Sequence, residues 1–221
     1  EPLDRSWSDR AANRHARLTM PPGALGRLLE LGQRLSAIQR RCPPVGTPAA
    51  VVVFAADHGV AETGVSAYPQ TVTGQMVANF VRGGAAINVI AARCGADVFV
   101  ADLGVKHPAP DLEPSRGYVS APIRRATSNW LDGPAMSREE AFQAFEFGLD
   151  FASMRIAGRY AVVVPGEMGI GNSTTATLLI AWLSGRDAPV GPGTGVDRAG
   201  LERKRDAIDV ALDLHRRDLL D

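Results

Sequence analysis

Two apolar runs of eight residues, AAVVVFAA (49–56) and ATLLIAWL (176–183), stand out from a chain that otherwise alternates short apolar and polar stretches. The first is β-branched, follows the turn residues PPVGTP and shows no alternation, which predicts a strand buried on both faces of a parallel sheet. The second follows a glycine-rich turn and predicts a helix over 173–183. Upstream, residues 1–42 read as helical, with Leu25, Leu28, Leu29, Leu35 and Ile38 near helical spacing and Pro43-Pro44 as the stop. A helical stretch over 71–93, interrupted at Gly83-Gly84 and ended by Gly95, leads into ADVFVADLGV, a second strand, completing a βαβ unit.

Residues 104–136 carry little periodic pattern and exceed the usual βα connection of about 2–6 residues, so a binding loop is expected there. Ser137-Arg138-Glu139-Glu140 has capping-box spacing and opens a helix to about residue 157. YAVVVP supplies a third strand. A last helix starts near Asp197 or Gly200 and runs to the end, with Leu201, Ile208, Leu212, His215 and Leu219 along one face. Strands alternating with helices define an α/β fold with a mostly parallel sheet, whose ligands bind beyond the carboxyl ends of the strands. Three strands leave both sheet edges open, so further strands or covers are expected. The chain begins without Met and stops soon after a helix, which leads to the expectation of a trimmed chain or of sequence that once followed.

Charge narrows the function. Lys and Arg number 24, as do Asp and Glu, and this balance gives no basic surface for nucleic acid. Runs of eight apolar residues fall far short of the ~20 a membrane-spanning helix needs. Cys42 and Cys94 make neither a disulfide scaffold nor a four-ligand zinc site, and nothing near Glu1 resembles a signal peptide, so a cytoplasmic protein is expected. The 23 glycines and 15 prolines gather at the ends of apolar runs, where the backbone can approach a ligand closely.

The most informative stretch is YAVVVPGEMGIGNSTTATLLIAWL, a strand, a glycine turn and a helix. Unpaired amides at the start of that helix suit an anion. Gly166 to Gly171 has P-loop spacing, but Asn172 stands where the lysine should be; Gly169 and Gly171 begin a dinucleotide fingerprint whose third glycine is Thr174. Phosphate or nucleotide binding and a simple capped turn both remain open. Glu167 in that loop suits ribose hydroxyls or a base nitrogen. A second glycine loop, GPGTGVD, precedes the last helix, where Lys204 falls on the apolar stripe and wants an anion. Asp57 and His58 end the first strand. A metal there is disfavoured for want of HxH, HExxH or CxxC spacing, and the expected role of His58 is to hold its loop by hydrogen bonds. Ser66, Tyr68 and Gln75 could line a pocket for a flat apolar ring.

FAADHGVAETGVSAYPQTVTGQMVANFVRGGAAINVIAARCGADVFVADLGV, with PPGALGRLLEL before it and VVPGEMGIGNSTTAT, GPGTGVD and GLERK after it, resembles the nicotinate-nucleotide:dimethylbenzimidazole phosphoribosyltransferase family of cobalamin biosynthesis. The resemblance spans nearly the whole chain in five ordered blocks. It implies phosphoribosyl transfer from nicotinate mononucleotide to 5,6-dimethylbenzimidazole, without metal or cofactor, by a homodimer. The implied architecture is a Rossmann-like sheet flanked by helices over 46–221 and a smaller helical domain to which 1–45 contribute. By motif position, Glu167, Gly169, Gly171, Asn172, Ser173 and Lys204 would contact the nucleotide, with Gly193 and Gly195 beside them, and Ser66, Tyr68 and Gln75 the benzimidazole. The family's general-base glutamate belongs to a later glycine-rich block that these 221 residues lack, which makes Glu167 an auxiliary base or binding residue. Weak or lost turnover is therefore expected of these residues alone, and a non-catalytic nucleotide- or ring-binding module is the alternative.

Overall fold

The computed structural model describes residues 3–215. The chain divides into two compact units, Glu1–Thr47 and Pro48–Asp221. The first holds α1 (Arg5–His15) and α2 (Arg27–Gln39). Asp4 caps α1 by accepting from the Ser6 amide, and the Arg10 guanidinium lies over the Trp7 ring. After α2, Arg40 turns left-handed, and the Gln39 carboxamide makes two hydrogen bonds to the Val45 backbone. The expected continuous helical segment is thus two helices. Leu25, Leu28 and Ile38, read at near-helical spacing, are exposed, while Ser36 and Ala37 are the buried residues of α2.

The second unit is an α/β fold. Its sheet contains β1 (Ala49–Ala56), β2 (Ala96–Gly104), β3 (Tyr118–Ser120) and β4 (Val162–Met168) in the order β3-β2-β1-β4, every pair parallel. β1 is central, which explains its unbroken apolar sequence. Val51 and Val53 face Ala91 on one side, while Ala50 and Val52 pack with Phe99, Phe151 and Ile156 on the other. Phe151 meets Phe99 edge-on at 5.9 Å. Burying each such valine or phenylalanine contributes about 1.5–3 kcal/mol.

Two strand expectations are corrected. β3 lies inside the stretch read as patternless, because three residues are too few to show a period. β4 does not end at Pro165: Gly166 and Glu167 continue it, paired with Val53 and Phe54. Pro165 and Gly166 signal a turn in sequence, yet an edge strand tolerates a missing amide because it bonds on one side only.

The remaining elements match the helical readings closely. They are α3 (Thr71–Val81), α4 (Ala86–Cys94), α5 (Arg138–Phe151), α6 (Asn172–Ser184) and α7 (Arg198–His215), with a π-helical turn, Ala152–Ile156, prolonging α5. Ser137 and Glu140 form the expected capping box. On α7, Ile208 is buried with Ala207 and Ala211 against Val60, Trp130 and Leu178. Leu219 lies outside the described residues. Among the described residues no helix is long and apolar enough to cross a membrane.

Candidate active site at the carboxyl ends of the strands

β1, β2 and β4 run parallel, so their carboxyl ends come together, and the chain leaves β4 through Gly169-Ile170-Gly171 directly into α6. Gly171 sits left-handed (φ 93°) as the N-cap, and no side chain among the described residues caps the helix. Its first amides are nonetheless engaged: Asn172 donates to the Gly169 carbonyl (3.0 Å), and Thr174 and Thr175 to the Gly171 carbonyl (3.1 and 3.3 Å). The Asn172 carboxamide accepts from the Ser173 amide at 2.7 Å. Gly169 has no room for a side chain: a Cβ there would lie 2.0 Å from the Ala56 carbonyl oxygen and 3.0 Å from the His58 ring. The turn is pressed onto the end of β1.

α7 delivers Lys204 to the same place. Lys204 is 2% exposed, and its ammonium donates to Ser173 Oγ (3.0 Å) and to the Gly191 carbonyl (3.2 Å). Both acceptors are neutral, and among the described residues no carboxylate lies in salt-bridge reach of it. Burial accordingly depresses its pKa. A buried ammonium held by two neutral oxygens is an incomplete ion pair. Gly193, at φ 55°, passes directly over it: a Cβ would sit 2.6 Å from Nζ and 2.7 Å from Ser173 Oγ.

The GPGTG loop also reaches the proposed ring pocket. Thr194 Oγ1 lies 3.0 Å from Ser66 Oγ and accepts from the Ala67 amide at 3.1 Å. Ser66, Gly193, Ser173 and Lys204 are thereby linked through one loop. Thr194 was not anticipated from sequence, since only the fold brings it to Ser66. Tyr68 donates its amide to Ser66 Oγ (3.3 Å), but its ring is exposed; Gln75 is exposed on α3 and Gly195 faces open space. Glu167 lies on β4 rather than in the loop. The residue is exposed, but partial desolvation of its carboxyl raises the pKa, and a hydrogen bond with the Asn172 side chain partly offsets that rise. No hydrogen bond joins Glu167 to Lys204 or Ser173 among the described residues.

Below the turn, Asp57 is fully buried and accepts from Thr73 Oγ1 and from the Lys106 amide, while the Ile170 amide donates to Thr73 Oγ1. His58 differs from expectation. Its Nδ1 is buried with no hydrogen-bond partner among the described residues, so the loop bonds run through Asp57 and the His58 carbonyl, which accepts from Gln70. Burial lowers the His58 pKa from 6.5 to about 4. Above pH 6.5 neither folded nor unfolded chain protonates this ring. Between 6.5 and about 4 only the unfolded chain does, so stability falls with pH by up to about 3 kcal/mol. Urea titrations at pH 7 and pH 4.5 should show that loss in the wild type and a smaller one in His58→Gln; equal losses would contradict it.

A polar cavity of about 560 Å³ is lined in part by Lys106, Arg124, Arg125 and Glu62. Its cations are compensated, Lys106 by Glu62, Arg124 by Glu140 and Arg125 by buried Asp102. It lacks the unpaired positive charge found at Lys204. Among the described residues no three His, Cys, Asp or Glu side chains gather as metal ligands.

Fold and site together define an α/β protein with a glycine cradle and a buried lysine, bonded only to neutral oxygens, at the carboxyl end of a parallel sheet. The phosphoribosyltransferase family model matches residues 1–221. A nicotinate-nucleotide–dimethylbenzimidazole phosphoribosyltransferase of Chloroflexus aggregans is 47% identical over 225 residues, covering 100% of this chain and 63% of that protein. The enzyme of the same name from Geobacter metallireducens is 43% identical, covering 98% and 61%. The crystal structure of CobT from Thermus thermophilus superposes with a TM-score of 0.84 at 46% identity, over 95% of this chain and 62% of that one. The chain belongs to this phosphoribosyltransferase family. It spans 61–63% of the length of these relatives.

Proposed function

We propose that the protein transfers the phosphoribosyl group of nicotinate mononucleotide to 5,6-dimethylbenzimidazole, giving α-ribazole 5′-phosphate and nicotinate for the lower ligand of cobalamin. The observation that carries the reading is Lys204, a buried ammonium with only neutral partners, held against Ser173 at the start of α6. The 5′-phosphate completes its ion pair, with Ser173 and the Gly169–Gly171 turn supplying further donors.

With the phosphate fixed there, the ribose anomeric carbon is the reacting atom. The bond from C1′ to the nicotinate ring nitrogen breaks, its electron pair returning to that nitrogen. A benzimidazole nitrogen forms the new bond to C1′, and the proton on the other ring nitrogen must leave. Fixing both partners removes much of the entropic barrier. Glu167, whose pKa partial desolvation raises, is an auxiliary base or a ribose ligand at the rim. Ser66, held to Thr194, with Tyr68 and Gln75 exposed near it in sequence, forms the benzimidazole side.

The working protein is a cytoplasmic homodimer in which residues 1–45 contribute to a smaller helical domain. Supporting the dimer, Phe142, Phe145 and Leu149 form an exposed apolar row along α5. Incubation of the protein from its complete reading frame with both substrates tests the activity. Nicotinate and α-ribazole 5′-phosphate should appear in equal amounts; binding of both substrates without product would contradict it.

A further inference from the structure

Asp57 and Thr73 have no part in the reaction as proposed, yet both are wholly buried and tie the end of β1, α3, the exit of β2 and the glycine turn together. Their bonds have a fixed direction. The Ile170 amide can only donate, and an ionised Asp57 carboxylate can only accept, so the single Thr73 hydroxyl proton must point at Asp57 while its oxygen takes the Ile170 proton. Asp57 Oδ2 is in turn occupied by the Lys106 amide at 2.8 Å. Such a chain holds its members in one arrangement, because breaking any link strands a buried polar group.

The backbone packing around the chain is equally close. Gly74, next to Thr73, has its Cβ position 2.0 Å from the His107 carbonyl oxygen, so α3 lies directly on the loop leaving β2. That approach brings Thr73 Oγ1 within 3.1 Å of the Ile170 amide, between the two glycines of the cradle. α3 also carries Gln75, assigned above to the ring side.

We propose that Asp57 and Thr73 are positioning residues: they fix the Gly169–Gly171 turn, and with it the start of α6 that carries Ser173, in the place the phosphate requires. The identity of the phosphate ester rests on the proposed function; the relay itself does not. Neither residue touches the substrate.

Thr73→Val keeps the branched shape and deletes the relay, whereas Thr73→Ser restores it. Two measurements on the complete protein decide the matter: amide hydrogen exchange of residues 169–173 without ligand, and calorimetry with nicotinate mononucleotide, inorganic phosphate and dimethylbenzimidazole. Thr73→Val should speed exchange and weaken both phosphate-bearing ligands by about tenfold, with dimethylbenzimidazole changed less than about threefold, and Thr73→Ser should recover both. Should Thr73→Val not fold, Asp57→Asn is read in the same assays with the same expected directions. Unchanged exchange, or equal weakening of all three ligands, would overturn the relay. A wild type that binds inorganic phosphate but not the mononucleotide would instead overturn the proposed substrate, while accelerated exchange and weakened phosphate binding in Thr73→Val would still support the relay.

Discussion

Lys204→Met will weaken nicotinate mononucleotide binding by about 100-fold while dimethylbenzimidazole affinity stays within about threefold, as expected when one charge-assisted contact in a desolvated site is lost. Methionine keeps the buried stem and removes the ammonium, so packing against the apolar face of α7 survives. The ligand-free variant should melt at the same temperature as the wild type or higher. Burial depresses the Lys204 pKa, which means that the folded protein bears a cost for holding the charge at neutral pH without an anionic partner. Lost binding with retained stability separates a ligand contact from a structural one. Equal losses for both ligands together with a lower melting temperature would assign Lys204 to the core instead.

Gly169→Ala should destabilise the protein by about 3 kcal/mol, because backbone must move to admit the methyl group. The new Cβ would lie 2.0 Å from the Ala56 carbonyl oxygen, an atom fixed by the central strand. Gly166→Ala is the control. Three residues earlier in β4, its Cβ would find only the Val52 carbonyl oxygen at 4.0 Å, an ordinary contact. Thermal melts should therefore show a drop of roughly 10 °C for Gly169→Ala and little change for Gly166→Ala. Similar shifts for the two would show that the turn is not pressed onto β1.

What the sequence revealed followed from how much of each element's environment is local. β1 was legible to its ends because a parallel strand buried on both faces is apolar throughout, and β2 because its apolar run is bounded by Gly95 and Gly104 despite Asp97 and Asp102. The capping box at Ser137 is likewise a local code, and its bonds form as read. Lys204 was legible because helical periodicity alone put it on the buried stripe of α7. β4 was read too short because proline and glycine carry turn signals that an edge position overrides. In α2 the leucine spacing was helical, but most of those side chains face outward, and periodicity does not say which stripe finds a partner. The relay was invisible for a different reason: Thr73 and Ile170 are 97 residues apart, and Ser66 and Thr194 128. Only the fold makes such pairs neighbours. His58 shows the converse: it was read at the end of the first strand, as the structure nearly has it, but the side-chain hydrogen bonds expected of it belong to its neighbour Asp57.

A crystal soaked with nicotinate mononucleotide tests the central claim most directly. The account predicts phosphate oxygens about 3 Å from Lys204 Nζ and Ser173 Oγ, against the Gly169–Gly171 turn, with C1′ facing the Ser66 side. A phosphate bound elsewhere, with the Lys204 ammonium still holding only Ser173 Oγ and the Gly191 carbonyl, would contradict it.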